Sequence, residues 1–506
     1  MWLNKALSQL ERPNSMGRFL RFVTALFLGV VASLGQAPFD LTFVSLLGFV
    51  AAVAMLSRAE NSVTAAWFGW VFGLGYFALG LQWLVSPFMV EPERHGWMAP
   101  FALFFMAGGL ALFWAVAFGA ARRLGAVSAL VLTLPLAELL RAYVFTGFPW
   151  GMPAYGLIDS QLAQSAAWIG AHGLNVLWMG LAVTLWHVTQ KTAVQRLAVG
   201  ALAALGMTLI VLPPKALPLN QNAPVIRLVQ PNAPQHQKWD IAYMRGFFER
   251  SLEFTRAGSP GPQRPDLILW PETSLPNTLN YAETSLRLLT EAAGGVPVIV
   301  GANRLEGARL FNAAVLLDGS GEIADIYDKH HLVPFGEYVP FGDLLAGFGI
   351  HGLAASEGQG FSPGPGPKTM DLEGLGKALL LICYEAVFAQ DVGGYDSRPD
   401  FLLQITNDAW FGDFSGPYQH LSQARMRAIE QGLPFVRVAN TGVSAMIDAK
   451  GGIVDALPLN QAGYLDVVLP PPLSKTIYAS TGDMPVFMLL LLAYLGLWAR
   501  KRRNSN

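Results

Sequence analysis

Over its first 212 residues the chain alternates long apolar stretches with short polar ones. Apolar runs cover 18–36, 41–57, 63–86, 97–120, 125–145, 164–188 and 195–212, and one more covers 484–499. A run of about 17–25 residues, coiled as an α-helix, matches the hydrocarbon thickness of a bilayer. The pattern therefore predicts about eight transmembrane helices, seven before residue 213 and one near the end. The first is not a cleavable signal peptide, because further spans follow at once and no small-residue cleavage site closes it.

From 213 to 483 the pattern changes. Pro, Gly, Asp, Asn and Gln become regular, and short apolar runs recur at "PVIRLVQ", "PDLILW", "VPVIVGA", "NAAVLLD", "ALLLICY", "FLLQIT" and "FVRVAN". Helical segments fit between some of them, around 237–256, 281–293 and 420–432. Strands that are apolar throughout and separated by helices predict a sheet covered on its faces. The expected division is a helical bundle over 1–212, an α/β domain over 213–483, and a last span with a basic tail over 484–506. At about 270 residues the middle segment is long enough for its own core. Within it, "SEGQGFSPGPGPK" (355–367) reads as a Gly/Pro/Ser-rich loop, and the stretch 341–367 is a candidate gate for a site in this domain.

Composition agrees with membrane insertion. Hydrophobic residues make up 53% and charged residues 14%, against roughly 25% charged in ordinary globular chains. With a net charge of −1 and no basic patch outside the membrane flanks, a nucleic-acid partner is not expected. Where the basic residues fall sets an orientation. Lys5, Arg12, Arg18 and Arg21 flank the first span. Arg58, Arg122 with Arg123, Lys191 with Arg196, and Arg500, Lys501, Arg502 and Arg503 all fall on one side if the spans alternate. The positive-inside rule then puts both termini in the cytoplasm and residues 213–483 on the far side.

Three segments carry a reactive group just past an apolar run, which is where sites collect in α/β sheets. They are "LILWPETSLP" with Glu272, "YDKHHLVPFGEYVP" with Lys329 and Glu337, and "LLLICYEAVF" with Cys383. Cys383 is the single cysteine and reads equally as a small buried hydrophobe or as a nucleophile activated by a neighbouring base. Taken singly, Glu272 is a turn acid and Lys329 a loop charge. His330 and His331 are adjacent, with no Cys or carboxylate at ligand spacing, so no metal site is expected. "NDAWFGDFSGPYQH" (407–420) fits a substrate-facing loop or an ordinary turn. Within the apolar part, "LAELLRAY" sets Glu138 and Arg141 at i, i+3, either as a mutual ion pair or as a contact for a lipid head group.

Taken together and in this order, the three segments resemble the Glu-Lys-Cys triad of the nitrilase (carbon–nitrogen hydrolase) superfamily. Over the whole chain the resemblance is to the apolipoprotein N-acyltransferase family. It is carried by "WPET" (270–273), "KHHLVPFGEYVP" (329–340), "ICYE" (382–385), "NDAWF" (407–411), "QPNAPQHQKW" (230–239) and "TGFPWGMPAYG" (146–156). The resemblance implies an αββα sandwich for the domain. It implies Glu272 as general base, Cys383 as nucleophile and Lys329 as oxyanion stabiliser together with the Tyr384 N–H. Glu337 would assist Lys329, Tyr384 and Glu385 would shape the nucleophile's turn, and Trp239, Asn312 and Trp410 would line or support the pocket. It further implies a phospholipid acyl donor and a diacylglyceryl-modified apolipoprotein acceptor, a ping-pong thioester mechanism without a cofactor, and a bacterial inner-membrane location with the catalytic domain periplasmic. The rival enzyme reading is a membrane-anchored nitrilase-type amidase or hydrolase with water as acceptor; multiple spans favour transfer. A transporter or lipid-binding scaffold with a dead domain is disfavoured because Glu272, Lys329 and Cys383 occur together.

Overall fold

The computed structural model describes residues 15–190, 193–220, 222–261, 263–340 and 360–505. The greater part of the candidate gate, 341–359, and the basic residues Lys5, Arg12 and Lys191 lie outside these, as do the side chains of Arg18 and Arg196. The chain divides into two compact units. One is drawn from residues up to Phe88, from Glu93–Pro213 and from Asp483 onward; the other comprises Met89–Pro92 and Pro214–Gly482.

In the first unit each of the eight apolar runs carries a helix: α1 Ser15–Ser33, α2 Thr42–Ser57, α3 Ser62–Gly80, α4 Ala99–Arg123, α5 Leu130–Tyr143, α6 Ala166–Gln190, α7 Ala193–Val211, and a last helix, Met484–Ser505. Among the described residues, four helical stretches are long and apolar enough to cross a bilayer: Ser62–Gly80, Pro92–Arg123, Gln161–Gln190 and Met484–Asn504. Phe19–Ser33, Thr42–Ser57 and Gly200–Val211 are apolar but shorter, and α5 carries Pro135 in its interior. Large apolar side chains point outward, among them Phe27, Leu47, Val116 and Leu489 at 63%, 65%, 69% and 64% exposure, a surface that suits hydrocarbon rather than water.

Inside this unit, Trp114 of α4 sits among the rings of Phe49, Phe72, Tyr76 and Phe77, with centroids 4.8 to 5.9 Å away. Close helix crossing makes this packing possible. A Cβ on Gly29 would stand 2.0 Å from the Phe72 carbonyl oxygen, and one on Gly75 would stand 2.1 Å from that of Leu26, so α1 and α3 meet through small residues.

The second unit contains two six-stranded sheets. The strands are β1 Val225–Gln230, β2 Leu267–Leu269, β3 Val298–Glu306, β4 Arg309–Leu317, β5 Ile323–Asp328, β6 Lys368–Leu372, β7 Gly376–Ile382, β8 Phe401–Thr406, β9 Phe435–Ala439, β10 Ser444–Ile447, β11 Ile453–Leu457 and β12 Gly463–Val468. One sheet runs β12-β1-β2-β3-β4-β5, the other β11-β10-β9-β8-β7-β6. Both follow one plan: three central parallel strands (β1–β2–β3 and β7–β8–β9) with antiparallel strands at either end.

Helices α8 (Ile241–Arg256) and α9 (Glu283–Ala293) cover the first sheet, burying Phe248, Leu252 and Leu289 against Val229, Ile268, Val300 and Val315. Helix α10 (Gly416–Gln431) covers the second through Leu421, Ala424 and Ala428 against Leu379, Leu402 and Phe435. The opposite faces of the two sheets meet, as β1 packs on β9 and β10. The layer order is helix, sheet, sheet, helix, which a two-faced apolar sheet requires.

The seven apolar runs all became strands. Five others, β5, β6, β10, β11 and β12, were not visible as apolar runs. Four lie toward the sheet ends and are only partly buried, and β10 is four residues long.

Arg227 ties this unit together. It is buried in β1, its Nε and Nη2 donate to Asp466 of β12 at 2.7 Å each, and Nη1 donates to the carbonyls of Phe254, Thr255 and Ala257 at 3.0, 2.9 and 2.6 Å. One guanidinium thus satisfies carbonyls left orphaned at the end of α8. Replacing Arg227 by Met strands Asp466 and those carbonyls together. We expect the variant to lose about 3–5 kcal/mol, read as a large fall in the thermal unfolding temperature of the full chain in detergent; an unchanged midpoint would refute this role.

Candidate active site

β5 is antiparallel to β4, which is antiparallel to β3, and β3 is parallel to β2. The C-terminal ends of β2 and β5 therefore emerge at the same edge of the first sheet. Glu272 follows β2 and Lys329 directly follows β5. The Glu272 turn lies flat on β3, because a Cβ on Gly301 would stand 2.5 Å from the Pro271 carbonyl oxygen and 2.6 Å from the Glu272 Cα. Thr273, next in line, has φ 47°, a backbone that non-glycine residues seldom adopt.

Lys329 is 1% exposed. Its Nζ stands 2.8 Å from Glu337 Oε1 and 3.7 Å from Glu272 Oε1. Asn312 of β4 donates to Glu272 Oε1 at 2.6 Å and to Glu337 Oε1 at 3.3 Å. The backbone N–H of Asn407 donates to Glu272 Oε2, and that of Val333 to Glu337 Oε2, both at 2.8 Å. Burial alone would pull the ammonium's pKa down; the carboxylates of Glu337 and Glu272 outweigh it, so the net shift is upward and Lys329 stays charged.

Cys383 leaves the end of β7 and opens a short 3-10 turn, Cys383–Val387. Its φ is 52°, again the left-handed region. The side chain is buried. Burial and the neighbouring Glu272 carboxylate push the thiol pKa well above its ordinary range, opposed by Lys329. The resting sulfur is therefore a protonated thiol.

Glu385 binds the turn to the Lys329 loop. Oε2 accepts from the Ile382 N–H at 2.6 Å; Oε1 accepts from the Tyr327 hydroxyl and the His330 N–H at 2.8 Å each and from the His331 N–H at 3.2 Å. Tyr384 is buried, with its ring edge-on to His331 and Phe388. The two histidines pair with carboxylates, His330 Nδ1 with Glu385 at 2.8 Å and His331 Nδ1 with Asp391 at 2.7 Å. Among the described residues no cluster of three or more His, Cys, Asp or Glu is arranged to hold a metal.

Glu272, Lys329, Glu337, Asn312 and Cys383 are thus brought together, with Tyr384 and Glu385 in the same turn as the thiol. Trp239 is different: it is 44% exposed beside a cavity lined by Lys238, Phe247, Phe248 and Leu275. Trp410 is half-buried in the turn Asp408–Phe411 that follows Asn407. Glu138 and Arg141 belong to the other unit. Arg141 pairs with Glu138 at 2.6 Å and donates to the Phe148 and Trp150 carbonyls, while Trp114 donates to Glu138 at 2.7 Å. Both are 1% exposed. This is a mutual ion pair, with the guanidinium turned to protein groups rather than outward.

Lys238 was not singled out from the sequence. It is buried, and its Nζ donates to the Glu272 carbonyl at 3.0 Å and to Thr273 Oγ1 at 2.7 Å. Burial lowers its pKa to about 8, against the pull of Glu272 and Cys383. It thus clamps the unusual backbone beside Glu272. Gln404 and Arg437 were also missed, although a polar residue inside an otherwise apolar strand ("FLLQIT", "FVRVAN") is a visible signal.

A family model described as carbon–nitrogen hydrolase matches residues 226–475, and one described as apolipoprotein N-acyltransferase N-terminal domain matches residues 28–184. The chain is 37% identical to an apolipoprotein N-acyltransferase of Rhodopseudomonas palustris over 95% of both chains, and 36% identical to one of Rhizobium meliloti over 94% of this chain and 96% of that one. A solved amidase from Nesterenkonia sp. superposes on 54% of this chain and 98% of its own, at 18% identity and a TM-score of 0.35, too loosely to inform the site. The chain is an acyltransferase of the carbon–nitrogen hydrolase class. Within that class the chain belongs to the apolipoprotein N-acyltransferase family.

The His330 environment sets a pH expectation. Burial lowers its pKa, but hydrogen bonds and charge from Asp391 and Glu385 outweigh this and raise it to about 9. A raised pKa in the folded state means that the imidazolium contributes stability fully below pH ~6.5 and loses it as pH rises through about 9. Subtracting the unfolding curve of His330→Asn from that of the unmodified chain should leave a term on the order of 1–3 kcal/mol that fades across this window. A flat difference would contradict it.

Proposed function

We propose that this chain transfers an acyl group from a membrane phospholipid to the N-terminal amine of a diacylglyceryl-modified apolipoprotein, with Glu272, Lys329 and Cys383 as catalytic residues. One observation carries the reading: a buried thiol on a left-handed turn is coupled electrostatically to a carboxylate and an ammonium. It occurs in a chain related along 95% of its length to a named apolipoprotein N-acyltransferase.

The geometry supports a ping-pong sequence. Glu272 takes the thiol proton as the sulfur attacks the phospholipid ester carbonyl. The oxyanion is held by the Lys329 ammonium and the Tyr384 N–H; losing one such donor typically costs about 3–4 kcal/mol. The ester C–O bond then breaks, Glu272 returns the proton to the leaving alkoxide, and a lysophospholipid departs from a thioester on Cys383. In the second half, Glu272 takes a proton from the acceptor amine, the C–N bond forms, the C–S bond breaks and the thiolate is reprotonated. Glu337 keeps Lys329 placed, Asn312 and the Asn407 N–H hold the Glu272 carboxylate, and Glu385 fixes the Tyr384 turn. Trp239 and Trp410 would take part in admitting the substrates.

The membrane arrangement belongs to the same proposal. Residues 1–212 and 484–506 would supply eight spans with both termini cytoplasmic, and 213–483 a domain on the periplasmic face of a bacterial inner membrane. Eight apolar helices and the one-sided distribution of Arg58, Arg122, Arg123 and Arg500–Arg503 support it. A donor and an acceptor that both carry acyl chains account for a multi-helix scaffold better than a soluble amide substrate does.

Intact-mass measurement after incubation with phospholipid tests the chemistry. An acyl adduct on Cys383, absent in Cys383→Ala and passed to a diacylglyceryl-cysteine peptide, is the expected result. Release as free fatty acid instead would favour hydrolysis. Replacing Glu272 by Gln should slow adduct formation by about 10²–10⁴-fold; adduct formation at the normal rate would remove Glu272 as base.

A further inference from the structure

Behind the nucleophile lies a set of buried polar groups that the reaction above does not use. Gln404 of β8 and Arg437 of β9 are register partners, and with Asp408 and His420 they are wholly buried. Arg437 donates to Gln404 Oε1 and to Asp408 Oδ2. With its oxygen committed to Arg437, the Gln404 amide nitrogen faces the Cys383 carbonyl oxygen at 2.7 Å and His420 Nε2 at 3.1 Å. His420 Nε2 must then accept, which puts the imidazole proton on Nδ1, 2.9 Å from Asp408 Oδ1. In this assignment the bonds from Arg437 to Gln404 and Asp408, from Gln404 to His420 and from His420 to Asp408 are all made; His420 Nε2 also stands 3.2 Å from the Cys383 carbonyl oxygen and Arg437 Nη2 3.4 Å from His420 Nδ1, contacts that carry no hydrogen bond in it. The neutral imidazole it requires agrees with the direction of the His420 shift, downward through burial and the Arg437 charge. Asp408 also accepts from Thr406 Oγ1 at 2.9 Å.

We propose that Gln404, locked in one amide orientation by Arg437, His420 and Asp408, is the positioning residue of the nucleophile. Its grip on the Cys383 carbonyl holds the left-handed backbone that aims both the sulfur and the next N–H. A left-handed φ at a non-glycine residue costs of order 1–3 kcal/mol and persists only where surrounding contacts over-determine it. The Gln404 bond and the Glu385 bond to Ile382 are such contacts, one on each side of the strained residue. This assignment rests on Cys383 being the acyl carrier.

Gln404→Glu separates positioning from sheet support. It keeps an oxygen for Arg437 but sets an acceptor against the Cys383 carbonyl. Two rates are read on the full chain in detergent: alkylation of Cys383 by iodoacetamide, unambiguous because the chain has one cysteine, and acyl-adduct formation from phospholipid. Both should fall by about 10–100-fold, with the phospholipid KM and the unfolding midpoint little changed. Normal rates in the folded variant, or a change in KM alone, would overturn the proposal. If Gln404→Glu does not fold, the same readings on His420→Asn decide. Failure of both to fold would make the ring a support of the sheet and overturn it too. Should the unmodified chain take no acyl group from phospholipid while Cys383 still alkylates, the acyl-transfer reading falls, and the ratio of alkylation rates still judges Gln404.

Discussion

A lysine ammonium shut away from water is the constraint around which the catalytic unit is arranged. Taking a charge out of solvent costs far more than a fold can spare unless opposite charge and hydrogen bonds replace the lost water. Lys329 obtains both from Glu337 and Glu272. Those two carboxylates then need donors of their own, which come from Asn312, the Val333 N–H and the Asn407 N–H. The chain of requirements crosses from the first sheet to the loop after β8 in the second. It leaves a cation and an acceptor beside a thiol kept protonated. For the acyl ester proposed as donor, a base, a nucleophile and a positive charge would already be in place, so little reorganisation would be needed as charge develops.

A protonated thiol is a weaker nucleophile than a thiolate, yet it is the resting form this arrangement requires. Were the sulfur a free thiolate, it would compete with Glu337 and Glu272 for the Lys329 ammonium. In the proposed reaction, keeping the proton on sulfur until a carbonyl is attacked would let the negative charge pass from Glu272 through sulfur to the oxyanion without ever adding a third anion. What must be accurate is then the direction of the S–H bond and of the Tyr384 N–H. Both are properties of the backbone at Cys383, held by Glu385 on one side and Gln404 on the other.

Much of this was legible in the sequence, for identifiable reasons. The strands that form the sheet centres are buried on both faces, so "LILW" and "ALLLICY" read as unbroken apolar runs, and their ends pointed to Glu272 and Cys383. The sheet ends were illegible for the converse reason: β11 and β12 are half-exposed, so no apolar run marks them. Asn312, and the role of Glu337 beside Lys329, came only from resemblance, because nothing in spacing shows that either meets Lys329. Lys238 lies in the segment read as helical around 237–256 and was not singled out, since its burial depends on the Glu272 turn folding over it. The same limit applied to Arg141: charge at i, i+3 from Glu138 was visible, but that its guanidinium turns to the Phe148 and Trp150 carbonyls depends on a loop fold.

Buried polar residues thus behave alike in both units. Arg141 among the apolar helices, Arg227 across β1 and β12, and Arg437 behind the nucleophile each pair with one acid and spend their remaining donors on groups that secondary structure leaves unsatisfied. Arginine suits this because its planar fork offers five donors in fixed directions. A lysine in any of these places could meet the acid but not the carbonyls as well. Lys329 is the exception that fits the chemistry. A compact ammonium with rotatable donors can turn from Glu337 toward an oxyanion, whereas a guanidinium locked by five bonds could not. These buried arginines are thus fixed forks where the fold must be held, while of the two buried lysines Lys238 clamps the Glu272 turn and Lys329 offers a rotatable charge beside the thiol.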